Sequence, residues 1–193
     1  MIADLIAANR SCRRFDEYHS VDLRTLEQLV NLARLSASGA NLQPLKFILS
    51  CRPALNAEIF SCLGWAAYLK DWPGPESGER PAAYIVILGD SNISKDFGVD
   101  HGIAAQSILL GARDKGLAGC MLGSINRIVL RTVLNIPAHL KILLVVAIGK
   151  PREEIVIETV GPDGNIRYWR DERAVHHVPK RPLSDIIVAS HET

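Results

Sequence analysis

Two long apolar segments constrain the fold of this 193-residue chain more than any other feature. The first is AYIVIL at 83–88, and the second, KILLVVAIG, occupies 141–149. Continuous apolar segments without polar alternation are typical of strands that are buried on both faces. We therefore predict two internal strands of a sheet at these positions.

Helix signals flank these strands. Asp22 is a suitable N-cap for a helix that runs to about Leu35. A longer helix is predicted to begin at Asp100, and Gly116 is expected to stop it because glycine readily adopts the left-handed conformation that ends helices. The sheet is therefore expected to be covered by helices.

A turn sequence at 161–164 predicts a hairpin between 155–157 and 166–169. Helices and strands mix without strict alternation, and the sequence has no GxGxxG or P-loop motif. We predict a single α+β domain, 1–193, whose mixed, largely antiparallel central sheet is flanked by helices.

Composition excludes several classes of protein. The net charge is +1, so no strong field favours nucleic acid or an anionic membrane. No apolar segment is long enough to span a bilayer, and no secretory signal opens the sequence. The cysteines form no CxxC pair and no metal-ligand spacing, so we expect reduced thiols, a cytoplasmic protein and no metal.

The polar loop at 36–47 is the first candidate site. Ser38, Asn41 and Gln43 offer hydroxyl and amide groups that donate and accept without changing charge. Gly39 permits close approach to the backbone. Such a loop suits a flat heterocycle with polar edges, although an ordinary helix-to-strand connection has a similar composition.

The second candidate is a basic cluster near the N-terminus. Arg10, Arg13 and Arg14 surround Ser11 within five positions, and the planar guanidinium binds phosphate through two hydrogen bonds. A solvated basic turn is the alternative. The third feature is an irregular arm at 64–81, rich in proline, glycine and aromatic residues, which either covers a ligand or subunit or is a flexible excursion.

Several motifs together resemble the nitroreductase family of flavin enzymes. RSCRRF at 10–15 is similar to its basic opening, and ASGANLQP at 37–44 to its "PSxxNxQP" loop. The strand at 116–123 looks like "GLGxxxxG", IGKP at 148–151 like "xGxP", and KRPL at 180–183 like a C-terminal phosphate clamp. These matches occur in family order along most of the chain.

The resemblance implies an intertwined homodimer with FMN at each interface site. It implies that Arg10, Ser11 and Arg13 hold the FMN, with Lys180 and Arg181 from the 175–193 tail completing the phosphate site. The resemblance implies further FMN contacts from the loop of the partner subunit, by Ala37, Ser38, Gly39, Asn41 and Gln43. It also implies backbone contacts near the flavin from Met121, Leu122 and Gly123. Asn9 replaces a further arginine of many members, so the phosphate contact is expected to shift to Arg10 or Arg14.

In such a family the flavin carries the chemistry, so no protein acid or base is assigned. The resemblance implies that electrons pass from NAD(P)H through flavin N5 to a nitroaromatic, quinone or similar electrophile by a ping-pong mechanism. Flavin-dependent dehalogenation or dehydrogenation, a non-catalytic flavin-binding protein and a structural dimer with an empty pocket are the alternatives. The sequence leaves open the oxidant, the choice of NADH or NADPH, any role of the cysteines, and whose flavin the arm covers.

Overall fold

A five-stranded antiparallel sheet with β3 and β5 at its centre organises the chain, which a computed structural model describes over residues 1–192. The strands are β1 (Phe15–Asp16), β2 (Leu45–Ser50), β3 (Ala83–Asp90), β4 (Ala118–Leu122), β5 (Leu140–Pro151), β6 (Ile155–Thr159), β7 (Trp169–Arg170) and β8 (His176–Lys180). The helices are α1 (Ile2–Ala8), α2 (Leu23–Arg34), α3 (Pro53–Ser61), α4 (Asp100–Asp114) and α5 (Arg127–Val133), with short 3₁₀ turns at Gly39–Asn41 and Leu183–Asp185.

The central sheet confirms the predicted internal strands. β3 pairs with β2 on one side and with β5 on the other. β5 pairs in addition with β4 and, at its end, with the two-residue β1. All four pairings are antiparallel, so the prediction of an α+β fold with a largely antiparallel sheet is confirmed.

Alternation along β3 builds a core on each face of the sheet. Ile85 and Ile87 pack with α2 and α4, whereas Tyr84, Val86 and Leu88 pack with the layer that contains α3 and α5. All five side chains are at most 1% exposed. Burial of one large apolar side chain stabilises a fold by about 1.5–3 kcal/mol, so these layers hold the sheet and helices together.

The predicted helix boundaries are confirmed where local chemistry sets them. The Asp22 carboxylate accepts a hydrogen bond from the Thr25 amide at 2.7 Å, which satisfies a free donor of the first turn of α2. At the end of α4, Gly116 has a φ of 71°. Within residues 1–192, no helix is long and apolar enough to cross a membrane.

The predicted hairpin between 155–157 and 166–169 is wrong. The turn itself forms, since the Gly164 amide donates to the Gly161 carbonyl at 3.0 Å. Beyond the turn, however, β6 pairs in parallel with β8, and β7 pairs antiparallel with the other edge of β8. Side-chain contacts favour this order, because His177 of β8 stacks on Trp169 at 4.1 Å and contacts Glu158 of β6.

The arm at 64–81 has no helix or strand but is packed against its own chain. Trp65 contacts Phe60 of α3, with 5.6 Å between ring centroids. Tyr68 packs on Tyr168 at 4.9 Å. Trp72 faces the Arg170 guanidinium at 4.2 Å. The arm is therefore an ordered cover over α3 and the segment around β7.

Gly119 of β4 is required by a close approach of backbone. A Cβ atom at this position would lie 2.2 Å from the Ala147 carbonyl oxygen of β5. In this structure the strand glycine thus reflects packing against a neighbouring strand.

We expect Gly119→Ala to lower the free energy of unfolding by about 2–3 kcal/mol, because backbone of β5 cannot yield to the new methyl group. Urea denaturation measures the loss. The matched control is Gly102→Ala in α4, where an added Cβ meets no described residue within 4 Å. That change should be neutral or stabilising by up to about 1 kcal/mol. Equal stabilities of the two variants would contradict the packing account.

Candidate functional site

Three predicted cationic residues line one cavity of about 320 Å³. Arg10, Arg13 and Lys180 contribute the positive charge. Among residues 1–192, none of the three is in an ion pair with a carboxylate. The other lining residues come from five segments: Asn9, Ser11, Gln106, Leu109, Met121, Tyr168, His176 and Val178. We call this space the cationic cavity.

Strand pairing brings the N-terminal basic cluster to the cavity. Ser11 forms a parallel bridge with Gly119, and the Cys12 amide donates to the Gly119 carbonyl at 3.0 Å. The chain between α1 and β1 therefore runs beside β4, which places Arg10, Ser11 and Arg13 next to Met121. The Arg10 guanidinium donates to the Ile6 carbonyl at the end of α1 at 2.8 Å.

Glu153, which follows β5, holds this segment in place. Its side chain is fully buried and pairs with Arg170 at 2.9 Å. It also accepts hydrogen bonds from the backbone amides of Arg13 and Arg14. A buried carboxylate needs such partners, because an uncompensated charge in the interior is strongly destabilising. Glu153 thus ties the cationic segment to the C-terminal sheet while leaving the Arg13 side chain to face the cavity.

The guanidinium of Arg13 is oriented by two rings of the C-terminal segment. It lies over the Tyr168 ring, with 4.8 Å from Cζ to the centroid. Its Nη1 is 3.4 Å from Nε2 of His176. His176 is 1% exposed, and burial, followed by the charges of Arg13 and Arg170, lowers the pKa of His176 from 6.5 to about 4. The imidazole is therefore neutral at neutral pH and accepts from Arg13.

Of the two residues expected to replace the missing family arginine, Arg10 lines the cationic cavity, whereas Arg14 points elsewhere. Its Nε donates to Glu79 Oε2 at 2.7 Å, and the two residues form an ion pair. The hydrogen bond from Arg14 lowers the pKa of the Glu79 carboxyl. The cationic cavity is lined by Arg10 and not by Arg14.

The polar loop lies at a second cavity of about 160 Å³. Its anchor is Asp100, a 7% exposed residue at the start of α4. The Asp100 carboxylate accepts from the Ser38 hydroxyl at 2.6 Å and from the Gly39 amide at 2.9 Å. The Ser38 hydroxyl in turn accepts from the backbone amide of Gln43 at 2.9 Å. Ser38 and Gly39 thus shape the loop from within.

The tip of the loop has a strained backbone. Ala40, Asn41 and Gln43 have φ angles of 48°, 56° and 51°. Asparagine tolerates this left-handed region, but alanine and glutamine adopt it at a cost of about 1–3 kcal/mol each. The Asp100 contacts offset part of that cost. Such strain concentrates where a loop presents groups to a ligand, and the side chains of Asn41 and Gln43 are exposed here.

The two cavities lie on opposite sides of α4. Asp100 and Ala104 line the loop cavity, whereas Gln106 and Leu109 line the cationic cavity. With about 100° of rotation per residue, the first pair is on roughly the opposite side of the helix from the second. Within one chain, the loop does not reach the cationic cavity.

The remaining predicted site residues differ in whether they line one of the two cavities. Lys180 and Met121 line the cationic cavity, and Ala37, Ser38 and Gln43 line the loop cavity. Leu122 is 5% exposed and belongs to the core, and Gly123 follows it at the exposed end of β4. Arg181 is exposed and does not line the cationic cavity, so the structure does not bring it to the residues it was predicted to assist.

Cys120 is a core residue, and the two adjacent histidines have different surroundings. Burial raises the pKa of the Cys120 thiol to about 12, and Cys120 is packed in the core. His177 faces away from His176 and contacts Glu158. Over residues 1–192, the structure has no cluster of three or more histidine, cysteine or acidic residues that could hold a metal.

Comparisons with known proteins agree with the fold. Residues 6–150 match the family model described as the nitroreductase family. A curated protein of Archaeoglobus fulgidus, provisionally named an NADH dehydrogenase/NAD(P)H nitroreductase, is 28% identical over 158 residues, or 78% of this chain and 85% of that protein.

Solved structures show the same architecture. A nitroreductase family protein from Clostridium novyi NT superposes with a TM-score of 0.67 at 23% identity, covering 79% of this chain and 86% of that one. A family protein from Clostridium difficile 630 matches at 0.65 and 21% identity over 98% and 97% of the two chains. An FMN-dependent nitroreductase from Clostridium difficile R20291 matches at 0.65 and 22% identity over 80% and 89%.

The neutral His176 makes stability depend on pH. Its pKa is about 4 in the folded chain and near 6.5 when unfolded, so the unfolded state binds an extra proton between these values. Stability is therefore lost as the pH falls through this window, by about 2 kcal/mol at pH 5. In His176→Gln this part of the pH dependence should vanish, as measured by urea denaturation at pH 7.5 and 5.

The control for this experiment is His139→Gln, which changes an exposed histidine. That variant should keep the pH dependence of the original protein. An unchanged difference between pH 7.5 and pH 5 in His176→Gln would show that His176 is not held neutral by its surroundings.

Proposed function

Because this chain belongs to the nitroreductase family, we propose that it is an FMN-dependent oxidoreductase. In this proposal it transfers electrons from NAD(P)H to a small electrophile such as a nitroaromatic or a quinone. The whole chain, 1–193, acts as one FMN-binding domain. The observation that carries the proposal is the cationic cavity, in which Arg10, Arg13 and Lys180 meet without a carboxylate partner among residues 1–192.

The residues present fit the phosphate of FMN. A phosphate monoester carries close to two negative charges at neutral pH, and unpaired guanidinium groups bind it through directed hydrogen bonds. The Nε of Arg10 and the Nδ1 of His176 are buried without a hydrogen-bond partner among the described residues. Three cations and two unsatisfied polar atoms at one cavity are a donor set that suits an anionic, hydrogen-bonding ligand.

We propose that the functional unit is a homodimer in which the loop of one chain completes the cationic cavity of the other. Support comes from the positions of the two cavities on opposite sides of α4. The strained tip exposes Asn41 and Gln43 to the surroundings of its own chain. In a two-fold dimer each partner presents the same surface, so two equivalent sites arise.

Bound FMN supplies two-electron hydride chemistry, and the protein needs only to bind, orient and tune it. The phosphate end of FMN would be held by Lys180, Arg10 and Ser11. Arg13 is fixed by Tyr168 and His176, so its positive charge stays in the cavity and favours any bound group that becomes more negative on reduction. Met121, Leu122 and Gly123 offer the backbone of the β4 edge.

Turnover requires that substrates reach the cofactor, and the arm at 64–81 would prevent this if it covered the cationic cavity. In the structure described for residues 1–192, none of the arm residues lines the cationic cavity, although Tyr68 packs on the cavity residue Tyr168. An uncovered cavity favours an enzyme over a protein that only stores or senses flavin. Donor and electrophile would use the same open space in turn, which corresponds to ping-pong kinetics.

The proposal is tested by the visible spectrum and by FMN titration of the purified protein. We expect bound or readily added FMN, and loss of its absorbance on anaerobic addition of NADH or NADPH. Arg13→Gln should weaken FMN binding at least tenfold because a charged hydrogen-bond donor is removed. Arg24→Gln, at an exposed arginine of α2, should leave the affinity unchanged.

A protein that takes up no FMN would refute the proposal. FMN that binds but keeps its absorbance with both nicotinamide donors would favour a binding protein. Under steady-state conditions, double-reciprocal plots at several electrophile concentrations should be parallel. Intersecting lines would contradict the use of one space in turn.

A further inference from the structure

A third cavity lies away from the site described above. It has a volume of about 260 Å³ and is enclosed by α3, the residues before and in early β3, and the segment 17–21. It shares no lining residue with the cationic cavity or the loop cavity. A space of this size holds far more than one water molecule.

Two of the polar groups at this cavity are already engaged. Asn56 accepts from the Ser50 hydroxyl at 2.6 Å and donates to the Ala82 carbonyl at 2.8 Å. The Glu17 carboxylate accepts from the backbone amide of Gly78. These contacts stabilise the walls and leave little capacity for a ligand.

Arg80 is the cationic group at this cavity. Its guanidinium lies over the Phe60 ring at 4.4 Å, and its Nε is buried without a hydrogen-bond partner in the described part of the chain. Within residues 1–192 no carboxylate lies within ion-pair distance of it. A half-buried arginine held on an aromatic face is a site for an anion, because its guanidinium has lost part of its hydration and keeps donors free.

Tyr84 adds a second unsatisfied donor. Its side chain lines the same cavity and is 1% exposed, and residues 1–192 offer its hydroxyl no hydrogen-bond partner. Burial raises the pKa of this phenol, so it stays neutral and keeps its proton. Buried polar groups in folded proteins are nearly always satisfied, so an unsatisfied arginine and tyrosine at one cavity indicate a missing acceptor.

We propose that this cavity binds a small monocarboxylate with an apolar body, such as an aryl carboxylate. The carboxylate accepts from Arg80, with Tyr84 as the second donor. The apolar part packs against a wall of hydrocarbon and ring surfaces: Val21, Pro53, Ala57, Phe60 and Pro81. The proposal is independent of the FMN site.

Charge at the cavity selects a monoanion. Glu17 lines the same space as Arg80, and its carboxylate offsets part of the positive potential. A phosphate dianion would face greater repulsion from Glu17 than a single carboxylate would. Phosphate is therefore expected to bind more weakly than a carboxylate of similar size.

Benzoate is the probe for this site. Its binding to the purified, FMN-saturated protein is measured by isothermal titration calorimetry, with benzamide as the uncharged analogue and inorganic phosphate as the dianion. We expect benzoate to bind, benzamide and phosphate to bind at least tenfold more weakly, and Arg80→Gln to weaken benzoate at least tenfold. Tyr84→Phe should weaken it several-fold, and Arg24→Gln should have no effect.

Flavin absorbance, recorded in the same titration, separates this site from the cofactor. Benzoate bound at Arg80 should leave the flavin spectrum unchanged. Binding that survives Arg80→Gln, or that perturbs the flavin spectrum in step with the calorimetric signal, places benzoate elsewhere and overturns the proposal. Absence of benzoate binding at millimolar concentration in the folded protein overturns it as well. If the protein binds no FMN, the calorimetric comparison of the variants still decides this proposal.

Discussion

The antiparallel register of β5 is the constraint on which the rest of the structure depends. One strand, Leu140–Pro151, pairs with β3, β4 and β1. The close contact of β5 with β4 at Gly119 fixes β4, and Ser11 and Cys12 pair with β4 at this glycine. The end of β5 leads directly to Glu153. The backbone that presents Arg10 and Arg13 is therefore held from two directions by the same strand. A shift of β5 by one residue would reverse which side chains face each core and would separate these contacts.

α4 divides the molecule into two half-sites. Its start anchors the polar loop through Asp100, and its opposite side lines the cationic cavity through Gln106 and Leu109. Small residues such as Ala104 and Ala105 let it pack closely in the core. The same helix thus positions both groups of predicted ligand contacts and keeps them apart within one chain. This separation is the physical reason for proposing that two chains build each FMN site.

Local signals in the sequence predicted the internal strands, the bounds of two helices and the clustering of the N-terminal basic residues. Arg10, Ser11 and Arg13 are adjacent in sequence, and the internal strands are continuous apolar segments, so short windows suffice. Glu153, Tyr168 and His176 were missed as partners of Arg13 because they lie over 130 residues further along and act only after the chain has folded. The hairpin failed for the same reason, since β6 pairs with a strand that no local pattern connects to it. The sequence identified Asp100 only as the start of a helix. It did not indicate that the Asp100 carboxylate also holds the polar loop at 36–47.

The most direct test of the account is FMN stoichiometry in a mixed dimer. One chain carries Arg10→Gln with Arg13→Gln, and the other carries Asn41→Ala with Gln43→Ala, with different affinity tags for purification of the mixed species. If each site combines the cationic cavity of one chain with the loop of the other, one of the two sites is fully intact. The account predicts one tightly bound FMN per mixed dimer, although each variant alone binds FMN poorly. Absence of tightly bound FMN in the mixed dimer would show that each chain builds its site alone and would contradict the account.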